Sequence, residues 1–64
     1  MVNGNKIREL MQKKGMLNKE LAVRVGISES MLSYIILGLR DTTVTTLSRI
    51  AKELEVSVDE LIVG

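Results

Sequence analysis

Few side chains in this sequence can make or break bonds. It contains no histidine and no cysteine, which removes the commonest proton shuttle, thiolate nucleophiles, disulfides and the usual zinc ligand sets. There is no glycine-rich phosphate loop and no isolated acid pair in an evident pocket, so neither an enzyme nor a metal or other cofactor is expected. What remains is hydrogen-bonding chemistry, gathered between residues 28 and 34. Glu29 supplies a carboxylate acceptor, Ser30 and Ser33 supply hydroxyls, and Tyr34, the only aromatic residue, supplies a phenol. With that spacing the four share one side of a helix. Such a set recognises; it does not catalyse.

Charge indicates what is recognised. The formal net charge is only +1, but it is unevenly spread. Residues 1–40 hold Lys6, Arg8, Lys13, Lys14, Lys19, Arg24 and Arg40 against Glu9, Glu20 and Glu29, a net of +4. Residues 41–64 hold Arg49 and Lys52 against Asp41, Glu53, Glu55, Asp59 and Glu60, a net of −3. One end is expected to face an anion. The longest apolar run, Tyr34-Ile35-Ile36-Leu37, is far below the roughly 18 residues that span a bilayer. Met1-Val2-Asn3-Gly4-Asn5 lacks the apolar core of a signal peptide. The expectation is a soluble, cytoplasmic protein with no membrane partner and no evident small-molecule ligand.

The elements that must hold these residues are helices. Proline is absent, no alternating stretch is long enough for a strand, and apolar residues recur at helical spacing between glycines. Asn3 or Asn5 can cap a first helix carrying Ile7, Leu10 and Met11, which Gly15 ends. A second runs from about Asn18 to Val25, with Leu21, Ala22 and Val25 inward and Gly26 after it. Ser28 caps a third, about Glu29 to Leu37, and Thr43 caps a fourth through Leu54. Ser57-Val58-Asp59-Glu60 has the pattern of a capping box and starts a short fifth helix. Residues 1–64 are therefore expected to form a single all-α domain, a compact five-helix bundle. A chain this small buries only about 60% of its unfolded surface, so its core must be efficient or shared with a partner.

The second and third helices are the specific part. Ala22, four positions before Gly26, is small where the next helix crosses; Ile27 plugs the turn, and Leu32 and Ile35 anchor the third helix. Glu29, Ser30, Ser33, Tyr34 and Leu37 are left to face outward. This is the layout of a helix-turn-helix, in which the second helix presents its side chains to the major groove of DNA. There Glu29 can accept from a cytosine amino group, the serines can bond either base type, and Tyr34 can meet a thymine methyl or a phosphate.

Over nearly its whole length the chain resembles the Cro/C1-type repressor DNA-binding domain, also called the XRE family. The resemblance is carried by Ile7-Arg8-Glu9-Leu10 with Lys14-Gly15, Glu20-Leu21-Ala22, and Gly26-Ile27-Ser28-Glu29-Ser30. It continues through Leu32-Ser33, Gly38, Arg40, Leu47-Ser48-Arg49-Ile50-Ala51-Lys52 and Val56-Ser57-Val58-Asp59-Glu60-Leu61. It implies a prokaryotic or phage-encoded transcriptional regulator, a repressor in the first instance, bound to double-stranded operator DNA as a homodimer. The family's base-reading positions fall on Glu29, Ser30, Ser33 and Tyr34. Its phosphate-holding positions fall near Asn18, Lys19, Arg40, Thr42 and Thr43.

Departures from the family pattern are informative. Leu17-Asn18 stands where a hydroxyl cap and a Gln are common, and Thr42-Thr43 where Pro-Ser is common. A basic residue late in the first helix and a Glu late in the third are replaced together by Met11 and Ile36, which reads as core packing. The third helix has no Lys or Arg, so an Arg–guanine contact is missing from it. Leu37 and Leu39, with Val58, Ile62 and Val63, suggest an exposed apolar patch and a dimer interface. The alternative is a protein-interaction module that keeps the fold and has lost DNA binding.

Overall fold

The computed structural model describes residues 2–62 and is built from four α-helices and one turn of 3-10 helix. They are α1 (Gly4–Lys14), α2 (Asn18–Val25), α3 (Glu29–Ile36) and α4 (Val44–Glu53), followed by the 3-10 turn Val58–Leu61. Helical spacing places Ile7, Leu21, Leu32, Ile50, Leu54 and Leu61 in the centre, each 1% exposed or less. Among the described residues no polar or charged side chain is buried. Met11 and Ile36, the apolar replacements for an ion pair, both lie within this core.

Three of the four helices start where a capping side chain stands. Asn3, not Asn5, caps α1, its Oδ1 accepting from the Lys6 amide at 3.1 Å. Ser28 Oγ accepts from the Met31 amide at 3.0 Å and Thr43 Oγ1 from the Thr46 amide at 3.1 Å. The exception is α2, whose cap residue Leu17 has no acceptor. There the Glu20 carboxylate reaches back to the Leu17 amide at 3.3 Å, half of a reciprocal capping arrangement.

All four helices end alike. The second amide beyond the last turn donates back to a carbonyl five residues earlier: Met16 to Met11, Ile27 to Ala22, Leu39 to Tyr34 and Val56 to Ala51. This closure requires a left-handed residue just past the helix end. Gly38 meets it at φ 77° after α3, whereas after α4 the position falls to Glu55 at φ 59°.

The expected fifth α-helix is not formed; a four-residue 3-10 turn stands in its place. Ser57 makes no side-chain cap bond. The Asn3 amide donates to the Leu61 carbonyl at 2.7 Å, and Val2 pairs antiparallel with Ile62. The chain must therefore be extended by Ile62, which leaves no length for an α-helix once Leu61 has reached the core. Among the described residues no helix is long and apolar enough to cross a membrane.

The ends of α1 and α3 meet. A Cβ at Gly4 would run into the carbonyl oxygen of Ile36. Glycine is needed there for close approach, and that approach fixes α3 against α1.

Candidate nucleic-acid interface

The four hydrogen-bonding residues come together as their spacing predicts. Glu29, Ser30, Ser33 and Tyr34 line one shallow concavity along the outer side of α3. Ser28 caps the helix beneath them, and Leu32, Ile35 and Ile36 hold its other side in the core. Glu29 and Ser30 are exposed and Ser33 is half-buried. Tyr34 is 44% exposed.

Asn18 is half-buried at the start of α2, and its Nδ2 donates to Ser33 Oγ at 3.4 Å. A residue expected at phosphate is thus tied to one expected at a base edge, which locks the first turn of α2 to the middle of α3. Lys19 beside it is exposed. With no acceptor at Leu17, the first amides of α2 lack a side-chain cap, and the Glu20 carboxylate on the Leu17 amide is the acid in that first turn.

Thr42 and Thr43 lie across a depression from Met31 and Ile35 of α3, with Asp41 and Thr46. The Thr43 hydroxyl is already used: it accepts from the Thr46 amide and donates to Thr46 Oγ1 at 3.0 Å. Arg40 is exposed, and its guanidinium stands over the Tyr34 ring, 5.9 Å from the centroid, at the reach of a cation–π contact.

Ion pairing sorts the cations. Lys14 pairs with Glu55 at 3.2 Å and Arg24 with Glu53 at 3.7 Å, so acids of the C-terminal stretch neutralise the far ends of α1 and α2. Lys13 pairs with Glu9 at 3.7 Å within α1. Among the described residues Lys6, Arg8, Lys19, Arg40, Arg49 and Lys52 have no acidic partner within 4 Å, and of these Arg8 and Lys19 share a groove with Glu29 while Arg40 stands over Tyr34. The charge asymmetry of the sequence therefore becomes a local one, positive beside α3.

Arg8 and Gln12 are additions that sequence reasoning missed. They line a groove with Asn18, Lys19 and Glu29. The signal was present, because both follow a buried residue, Ile7 and Met11, by one position and so share the stripe beside the core face.

The proposed apolar patch is only partly placed. Leu37, Leu39 and Ile62 are 60%, 68% and 43% exposed. Val58 is half-buried and packs against the core, and Val63 lies outside the described residues.

Known proteins share this geometry. The Helix-turn-helix family matches residues 7–61. Among solved structures the chain is similar to the restriction-modification controller protein C.AhdI from Aeromonas hydrophila. The two are 27% identical with a TM-score of 0.85, over 92% of this chain and 89% of that one. It is also similar to SinR, the master regulator for biofilm formation, in complex with DNA. That match is 32% identical with a TM-score of 0.85, over 92% of this chain and 98% of that one. SinR from Bacillus subtilis is matched again, as is a chain of the SinR/SinI protein complex. The last is 32% identical with a TM-score of 0.86, over 97% of this chain and 60% of that one. The chain thus spans three-fifths of that longer partner-bound protein. No curated protein matches it.

Proposed function

The chain belongs to the Cro/C1-type helix-turn-helix family, and from that premise we propose that it is a transcriptional regulator, a repressor, that lays α3 in the major groove of operator DNA. One observation carries the reading: Glu29, Ser30, Ser33 and Tyr34 share a single exposed concavity flanked by the unpaired cations Arg8, Lys19 and Arg40. A B-DNA major groove admits one α-helix, reads hydrogen-bonding side chains at its base edges, and is bordered by phosphates that attract such cations.

In this reading Glu29 and Ser30 meet base edges, and Ser33 does so while held by Asn18. Lys19, the first amides of α2 and Arg8 meet phosphates on one side; Thr42 and the first amides of α4 meet them on the other. Thr43 contributes by capping α4, since its hydroxyl is engaged. The regulator works as a homodimer in the cytoplasm, where its DNA is. Exposed Leu37, Leu39 and Ile62 supply the self-complementary surface for a two-fold contact. The rival interaction-only reading draws on the small net charge and the lack of Lys and Arg in α3, but it leaves the polar concavity and its bordering cations without a role.

Fluorescence anisotropy with a mixed-sequence 20-base-pair duplex at two salt concentrations tests this. Three cations per protomer predict that log K falls against log salt with a slope of about −3 for each bound protomer. Absence of binding at low salt and tens of micromolar protein would overturn it.

A further inference from the structure

We propose that Arg40, steered by Tyr34, reads a guanine in the major groove and is a specificity-determining residue, not only a phosphate contact. This rests on the DNA-binding reading above and concerns how sequence is chosen. The recognition helix lacks Lys and Arg from Glu29 to Ile36, so by itself it cannot form the bidentate Arg–guanine pair that dominates major-groove readout. The fold returns a guanidinium to it from outside.

The route is built into the end of α3. The Gly38 amide donates to the Ile35 carbonyl at 3.1 Å, and the Leu39 amide donates to the Tyr34 carbonyl at 2.9 Å. Gly38 at φ 77° makes that closure possible. The chain is thereby reversed within three residues, and the next side chain, Arg40, comes back over Tyr34 with its guanidinium 5.9 Å from the ring centroid. Tyr34 is itself a wall of the concavity that contains Glu29, Ser30 and Ser33. Neither adjacent Asp41 nor any other described acid neutralises Arg40. A planar, uncommitted five-donor fork thus stands at the edge of the recognition surface, oriented by a ring and not by a carboxylate that would consume its donors. Tyr34 is then a positioning residue: its ring holds the fork, and its own base contact is secondary.

A randomised duplex library, selected with the wild type and with Arg40→Lys, Arg40→Ala, Tyr34→Phe and Tyr34→Ala, tests this. The wild type selects a guanine at one position of each half-site, preferred by about tenfold or more over other bases. Arg40→Lys retains the charge and the salt slope but weakens that preference alone, because an ammonium lacks the planar fork held over Tyr34. Tyr34→Phe keeps the preference, and Tyr34→Ala blurs it at the same position while leaving the others intact. Replacing that guanine with 7-deazaguanine removes the N7 acceptor and weakens wild-type binding, but leaves Arg40→Ala unaffected. The proposal is overturned if Arg40→Lys selects the wild-type sequence and Arg40→Ala weakens all duplexes alike, which is the phosphate-only outcome. A wild type that binds no duplex overturns the DNA-binding reading, and this proposal falls with it.

Discussion

Glu55 occupies a backbone conformation that suits glycine, at φ 59°, because the closure of α4 needs a left-handed residue where the sequence offers none. Holding a non-glycine residue there costs on the order of 1 kcal/mol or more. Its side chain pairs with Lys14, but that side chain is 78% exposed, and exposed pairs contribute little. Glu55→Gly should therefore raise the unfolding free energy by about 1 kcal/mol in urea titrations, with an unchanged m-value. Leu17 is a second local misfit, an apolar cap residue 67% exposed. Leu17→Ser installs an acceptor for the first turn of α2 and should stabilise by about 1 kcal/mol in the same measurement. On the surface, Lys19→Ala and Arg8→Ala should each weaken binding to all duplexes alike. Each should also reduce the magnitude of the salt slope by about 1 per protomer.

Individual elements are legible in the sequence to the extent that their signals are local. Capping by Asn3, Ser28 and Thr43 needs only a side chain and an amide three residues on, so the starts of α3 and α4 can be read from residue order alone, and that of α1 to within the choice between Asn3 and Asn5. The 3-10 turn cannot. Ser57 and Glu60 have the spacing of a cap, but the chain past Leu61 is claimed by Asn3 and Val2 from the other end of the sequence, and no local pattern reports that. Gly4 is hidden for the same reason: its neighbour Ile36 is 32 positions away. Because the Ile36 carbonyl lies where a Cβ would go, Gly4→Ala should force α1 and α3 apart and destabilise by about 1–3 kcal/mol. That loss would arise even though alanine is the better helix former, and thermal unfolding followed by circular dichroism measures it. Stability unchanged or raised would mean that the two helix ends are not tightly docked.

At the scale of the whole molecule, charge and shape act together. The C-terminal acids draw Lys14 and Arg24 away from the recognition side, and Arg8, Lys19 and Arg40 are left to border the concavity on α3. The membership of that concavity is readable from helical spacing alone. The inclusion of Arg8 is not, since it depends on how α1 is docked, and the partnership of Arg40 with Tyr34 is not, since it depends on how the chain turns at Gly38. Exposed Leu37, Leu39 and Ile62 predict self-association, which sedimentation velocity across micromolar concentrations measures; Leu39→Asp should shift it toward monomer. Everything proposed for DNA depends on α3 and its flanks being the surface that meets the duplex. Amide chemical-shift mapping on a uniformly labelled sample, titrated with a short duplex, decides that point. Shifts should concentrate at residues 17–20, 28–34 and 40–46, with Lys52 to Asp59 little changed. Shifts centred instead on Leu37, Leu39 and Ile62 with α3's polar side silent, or no shifts at low salt, would contradict it.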